Sequence, residues 1–140
     1  MISSEGGQVL AFFAIALPLV LLPVAAYAVD ATTVAGRESA LQAATAQAAE
    51  TAAQQINIRA LRSSGTLSLD PAAARLVLEQ TLVEEEPGTS IDSYTIAGAA
   101  VSVATSERVR LPFSVFSDTV VLHAHATAHL AAGYDNPVDR

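Results

Sequence analysis

The sequence predicts an α+β protein. A long N-terminal α-helix, apolar in its first half and amphipathic in its second, packs on a small C-terminal antiparallel β-sheet head with one short helix. Three observations predict this. Val9–Val29 is a run of 21 residues without a charged side chain. Ala31–Leu61 is rich in Ala, Gln, Glu and Arg and contains no proline. From Ser90 onward the apolar residues recur at every second position. The chain therefore divides into a membrane-spanning or filament-core helix segment (1–30), its amphipathic continuation (31–65) and the α+β head (66–140).

As a helix, Val9–Val29 rises ~31 Å, close to the hydrocarbon thickness of a bilayer. A helix that is apolar all round needs an apolar solvent, either lipid or the centre of a protein polymer. Pro18 and Pro23 lie inside the run. Each removes a backbone donor and crowds the carbonyl four residues back, which kinks or loosens a helix. Membrane helices tolerate this because neighbours re-satisfy the freed carbonyls.

Asp30 ends the apolar run, but strong helix formers continue it. Val34, Leu41, Ala44, Ala48, Ala52 and Ile56 fall at helical spacing and form one narrow stripe. Arg37, Gln42, Gln47, Glu50 and Gln54 occupy the other sides. Gly65, after Arg62-Ser63-Ser64, reads as a C-terminal stop. The expectation is one nearly continuous helix from about Val9 to about Arg62. Its second half is built of small side chains, so sister helices or the chain's own sheet can approach closely.

Thr66–Leu69 reads as a short strand. Asp70-Pro71 then opens a helix, an N-cap acid followed by proline at the first helical position. That helix runs to about Val83 and buries Leu78, Leu82 and Leu76. Glu84-Glu85-Glu86 at its end opposes the macrodipole and should face water; the trio lacks the ligand spacing of a calcium loop. Next, Tyr94 and Ile96 precede an Ala97-Gly98 turn. Val101 and Val103 form one alternating pattern. Val109, Leu111 and Phe113 form another, separated from it by Thr105-Ser106-Glu107. Val115 or Phe116 should tuck under the sheet. The last strand places Val120, Leu122, Ala124, Ala126, Ala128 and Leu130 on one face, with Val121, His123, His125, Thr127 and His129 on the other. The tail from Gly133 to Arg140 reads as an exposed end.

Composition narrows the function. There is no cysteine, hence no disulfide framework and no thiolate zinc site. Seven basic residues, all arginine, stand against fourteen acidic ones, and the net charge of −7 lacks the positive footprint that nucleic acid requires. Met1–Gln8 carries no basic residue, unlike the first region of a secretory signal. The short amino end is placed towards the cytoplasm and the rest outside.

The order of features resembles type IV pilin-like proteins. Gly7-Gln8, then Phe12-Phe13-Ala14-Ile15-Ala16-Leu17-Pro18, then Val29-Asp30 and Arg37 with Leu41-Gln42-Ala43-Ala44, are similar to the start of tight-adherence (Tad or Flp-type) pilus proteins of the TadE and TadG kind. Leu111-Pro112-Phe113 and the alanine-alternating strand to Leu130 resemble their end. The likeness covers most of the chain. It implies a structural subunit stored in the inner (cytoplasmic) membrane, cut by a prepilin peptidase, and extracted by an ATP-driven machine. The subunit then polymerises with identical copies into a helical surface pilus used for adhesion. Phe12, Phe13, Leu17, Leu21 and Leu22 would pack in such a filament, and Pro18 and Pro23 would set where the helix bends. Pilin-like proteins usually carry a glutamate at the fifth mature position, which neutralises a neighbour's amino terminus. If Met1 is the mature start, Glu5 holds that place, although it precedes the apolar run; a cut after Gly7 would put Phe12 there instead.

Other functions find less in the residues. No glycine-rich phosphate loop or spaced Ser-His-Asp pattern supports an enzyme, and no cofactor is implied. His123 and His125 lie ~7 Å apart along their strand and could share zinc or copper, with His129 farther off; an outward polar face is the simpler expectation, and no metal is expected. A minor pseudopilin or membrane-anchored assembly protein, and a tethered binding module with a ligand site in its head, are the alternatives.

Overall fold

The computed structural model describes residues 5–115 and 117–130, with Glu5 and Gly6 as backbone alone. The expectations for Phe116 and for the tail from Gly133 lie outside these residues. The order is α1 (Glu5–Ala53), α2 (Ile58–Ser64), α3 (Pro71–Glu85), β1 (Thr89–Ala97), β2 (Ala100–Arg110) and β3 (Thr119–His129). The strands form an antiparallel sheet in the order β1-β2-β3, so the chain is α+β as its sequence predicts.

Helix α1 ends nine residues before Arg62 and does not run through to it. Ile56 leaves the stripe and bridges Leu69 antiparallel. Asn57 N–H donates to the Ser68 carbonyl at 2.8 Å, and Asp70 N–H to the Gln55 carbonyl at 2.8 Å. Two β-branched isoleucines flank Asn57, and Asn57 caps α2 by accepting from Ala60 N–H at 2.9 Å. Isoleucine is a poor helix former and asparagine a strong N-cap, so pairing with 68–70 wins over one more helical turn. Gly65 closes α2 at φ +67°, the left-handed cap expected of it.

Two compact units emerge. One holds α1 as far as Arg37 together with Val109–Val120; the other holds Glu38–Arg108 with residues 121–130. In the second unit, Ala44, Ala48, Ala49, Ala52 and Ala53 of α1 pack with Leu69, Ala74, Leu78, Leu82, Val101, Val103 and Ala128. The alanines bring helix and sheet backbones close. Inside this layer Thr45 and Thr105 are fully buried, their hydroxyl oxygens 2.6 Å apart. Thr45 Oγ1 donates its one proton to the Leu41 carbonyl at 2.7 Å, so Thr105 must donate to Thr45. Gln42 Nε2 donates to the His125 carbonyl at 3.0 Å, and Gln47 Nε2 to Glu85 Oε1 at 2.9 Å.

Asp70 caps α3, accepting from Ala72 and Ala73 N–H, and α3 buries Ala74, Leu78 and Leu82. Leu76 is exposed, contrary to expectation, because it lies off that stripe. Glu84 and Glu85 face water, whereas Glu86 ends the helix half-buried. The two patterns expected on either side of Thr105-Ser106-Glu107 are one strand, β2, whose inward face runs through Val101, Val103, Thr105, Glu107 and Val109. Two polar residues on the core face hide its continuity from a hydrophobicity count. Phe113 falls outside this strand and is exposed. A Gly98-Ala99 turn joins β1 to β2, with Gly98 at φ +62° as a two-residue primed hairpin turn requires. In β3, Leu122, Ala124 and Ala128 are buried and Val120 and Ala126 half-buried, as is Leu130 just after the strand, in keeping with the predicted face.

Candidate functional site

Among the described residues, the first half of α1 has little cover. Every large side chain from Val9 to Val29 is 44–74% exposed, and the most hydropathic 18-residue window is 0% buried. Helix α1 is long and apolar enough to cross a membrane. Of the residues singled out for assembly, Phe12, Phe13, Leu17, Leu21 and Leu22 are all 53–68% exposed. Phe12 and Phe13 touch edge to face, with centroids 6.1 Å apart. Pro18 and Pro23 sit inside an unbroken helix. They leave the carbonyls of Ala14 and Leu19 without the usual i+4 donor. Glu5 is the first residue of α1; its side chain lies outside the described residues.

Where the apolar run stops, the helix acquires a partner that the sequence does not announce. Asp30 is 5% exposed although it lies within α1. Its Oδ1 accepts from Phe113 N–H at 3.0 Å and its Oδ2 from Val115 N–H at 3.3 Å. The loop that supplies these donors is shaped by Leu111 N–H bonding to the Asp118 carbonyl and by Ser114, which adopts φ 53°. Thus Val115 lies against the helix rather than under the sheet: with Pro23, Val24 and Tyr27 it lines an apolar groove of about 370 Å³. One turn past the run, Thr32 and Thr33 hydroxyls both donate to the Val29 carbonyl at 2.9 Å. Val29-Asp30 and Leu111-Pro112-Phe113, two segments of the resemblance, meet here.

On the outer face of the sheet, a β-bulge between Ile91 and Ser93 turns Asp92 towards β2. Ser106 Oγ donates to Asp92 Oδ1 at 2.7 Å, and His123 Nδ1 lies 3.6 Å from Asp92 Oδ2. The carboxylate stands between the hydroxyl and the imidazole, so Ser106 and His123 do not form the direct hydroxyl–imidazole pair of an activated serine. His123, His125 and His129 are exposed, and among the described residues no three His, Cys, Asp or Glu side chains are placed to hold a metal ion. Burial pushes the Tyr94 phenol above its ordinary range, the nearby Arg75 guanidinium pulling the other way.

Comparison with protein-family models, characterised proteins and solved structures finds no match for this chain.

Proposed function

We propose that this chain is a structural, pilin-like subunit. It rests in the cell's inner membrane by the first half of α1 and then polymerises with identical copies into a Tad or type IV-like surface pilus used for adhesion. One observation carries the reading. A single helix covers the sheet with its alanine-rich second half and leaves its larger, more apolar first half bare. A soluble domain does not leave so long an apolar face open unless lipid or another protein covers it. Open-ended, head-to-tail packing of identical helices yields a filament rather than a closed ring. A prepilin peptidase and an ATP-driven assembly machine follow from the same reading, as does the absence of catalysis.

Replacing Val9–Val29 by an unrelated, uncharged spanning helix tests this. Lipid is fluid, whereas a protein interior registers a change of one methylene. Insertion should persist and filaments, seen by electron microscopy with mass spectrometry of their subunit, should vanish. Pro18→Ala with Pro23→Ala should insert equally well and give fewer or differently shaped filaments. Normal filaments from the replaced segment would sink the proposal and leave a tethered module. This chain as a trace component of filaments made of another subunit would point to a minor pseudopilin.

A further inference from the structure

We propose that the loop Pro112–Val115 is a membrane-docking element, held by Asp30 at the boundary between lipid headgroups and acyl chains, with Phe113 as its anchor. This rests on the membrane half of the reading above and adds a second point of lipid contact, 83 residues from Asp30 in sequence. The depth follows from geometry. Val9–Val29 fills ~31 Å, the thickness of the hydrocarbon layer. Asp30 is the next residue, so its carboxylate lies at the hydrocarbon edge, where a bare charge is costly. Phe113 and Val115 N–H groups neutralise that cost from 3.0 and 3.3 Å, which fixes the loop at the same depth as the carboxylate. The same bonds satisfy two backbone donors that lipid could not.

The surface exposed at that depth suits the interface. Phe113 is 58% exposed and Tyr27, one helical turn before Asp30, is 54% exposed. Aromatic rings concentrate at this level of a bilayer. The groove formed by Tyr27, Val24, Pro23 and Val115 is apolar-walled and continues the bare face of the helix, so acyl chains that cover one cover the other.

The chain has no tryptophan, so single Trp substitutions report position without background. The full chain carrying Phe113→Trp, Leu19→Trp, or Phe113→Trp with Asp30→Ala is placed in phosphatidylcholine vesicles brominated at shallow or deep acyl positions. N-acetyl-tryptophanamide in the same vesicles is the aqueous reference. The expected result is that L19W is quenched most by deep bromines. F113W should be blue-shifted and quenched most by shallow ones. In the Asp30→Ala background its quenching should fall towards the reference. A quenched L19W beside a water-like, unquenched F113W overturns the docking proposal while the span stands. An unquenched L19W overturns both. A blue-shifted F113W that responds to protein-to-lipid ratio but not to bromine assigns the surface to a second copy, and quenching that survives Asp30→Ala removes Asp30 as the holder.

Discussion

The two halves of α1 share one backbone and meet opposite fates. The first half carries Phe, Leu, Ile and Val and buries none of its most hydropathic window; the second carries alanine at its core positions and buries Ala48, Ala49 and Ala52 completely. Burial within the chain therefore does not follow side-chain hydrophobicity. It follows what is placed opposite. Small side chains admit a sheet at close range, and large ones arrayed all round a helix can be covered only by a solvent or by copies that surround it.

Paired substitutions sharpen this contrast. Leu78→Ala, in the fully buried core beneath the alanine half, should cost the head about 2–5 kcal/mol. Leu19→Ala, 74% exposed, should leave the head's denaturation midpoint where it was. Both are read by chemical denaturation of the full chain in one detergent. An equal loss from the two would erase the distinction between the halves.

Next in size, Ala48→Leu should destabilise the head by about 1–3 kcal/mol through overpacking, although it raises hydrophobicity. A more stable head would show that the alanine stripe is not a close contact.

Thr45→Val leaves Thr105 buried without its acceptor and should cost about 1–3 kcal/mol. Adding Thr105→Val should recover most of that loss, since both buried hydroxyls are then gone. Additive losses in the double-mutant cycle would contradict the coupling.

The smallest effect belongs to Tyr94→Phe. Among the described residues its buried hydroxyl finds no hydrogen-bond partner, so removal should be neutral or slightly stabilising at neutral pH. The gain should grow in alkali. The folded phenol titrates above the ordinary tyrosine range, so the unfolded chain ionises first and native stability falls as pH rises through that window. The phenylalanine variant should lose that part of the decline. Parallel pH profiles for the two proteins would show that Tyr94 is not the group responsible.

Much of this was legible in residue order, because periodicity reports which face of a local element is apolar. Val9–Val29 specified an uncharged helix, Asp70-Pro71 the start of α3, Gly98 a turn, and the alternation through Leu130 the buried face of β3. Tertiary structure decided what depends on partners distant in sequence. Pairing of residues 55–57 with 68–70 stopped α1 at Ala53, short of the Arg62 to which the run of helix formers pointed. Thr45 gave Thr105 a buried partner and so let β2 run through a polar core position. Asp30 reads in sequence only as the end of an apolar run. It became an anchor because the fold delivered two backbone donors from a loop more than eighty residues away, and a hydrogen bond between segments so far apart has no local sequence signature, unlike the cap of Asp70.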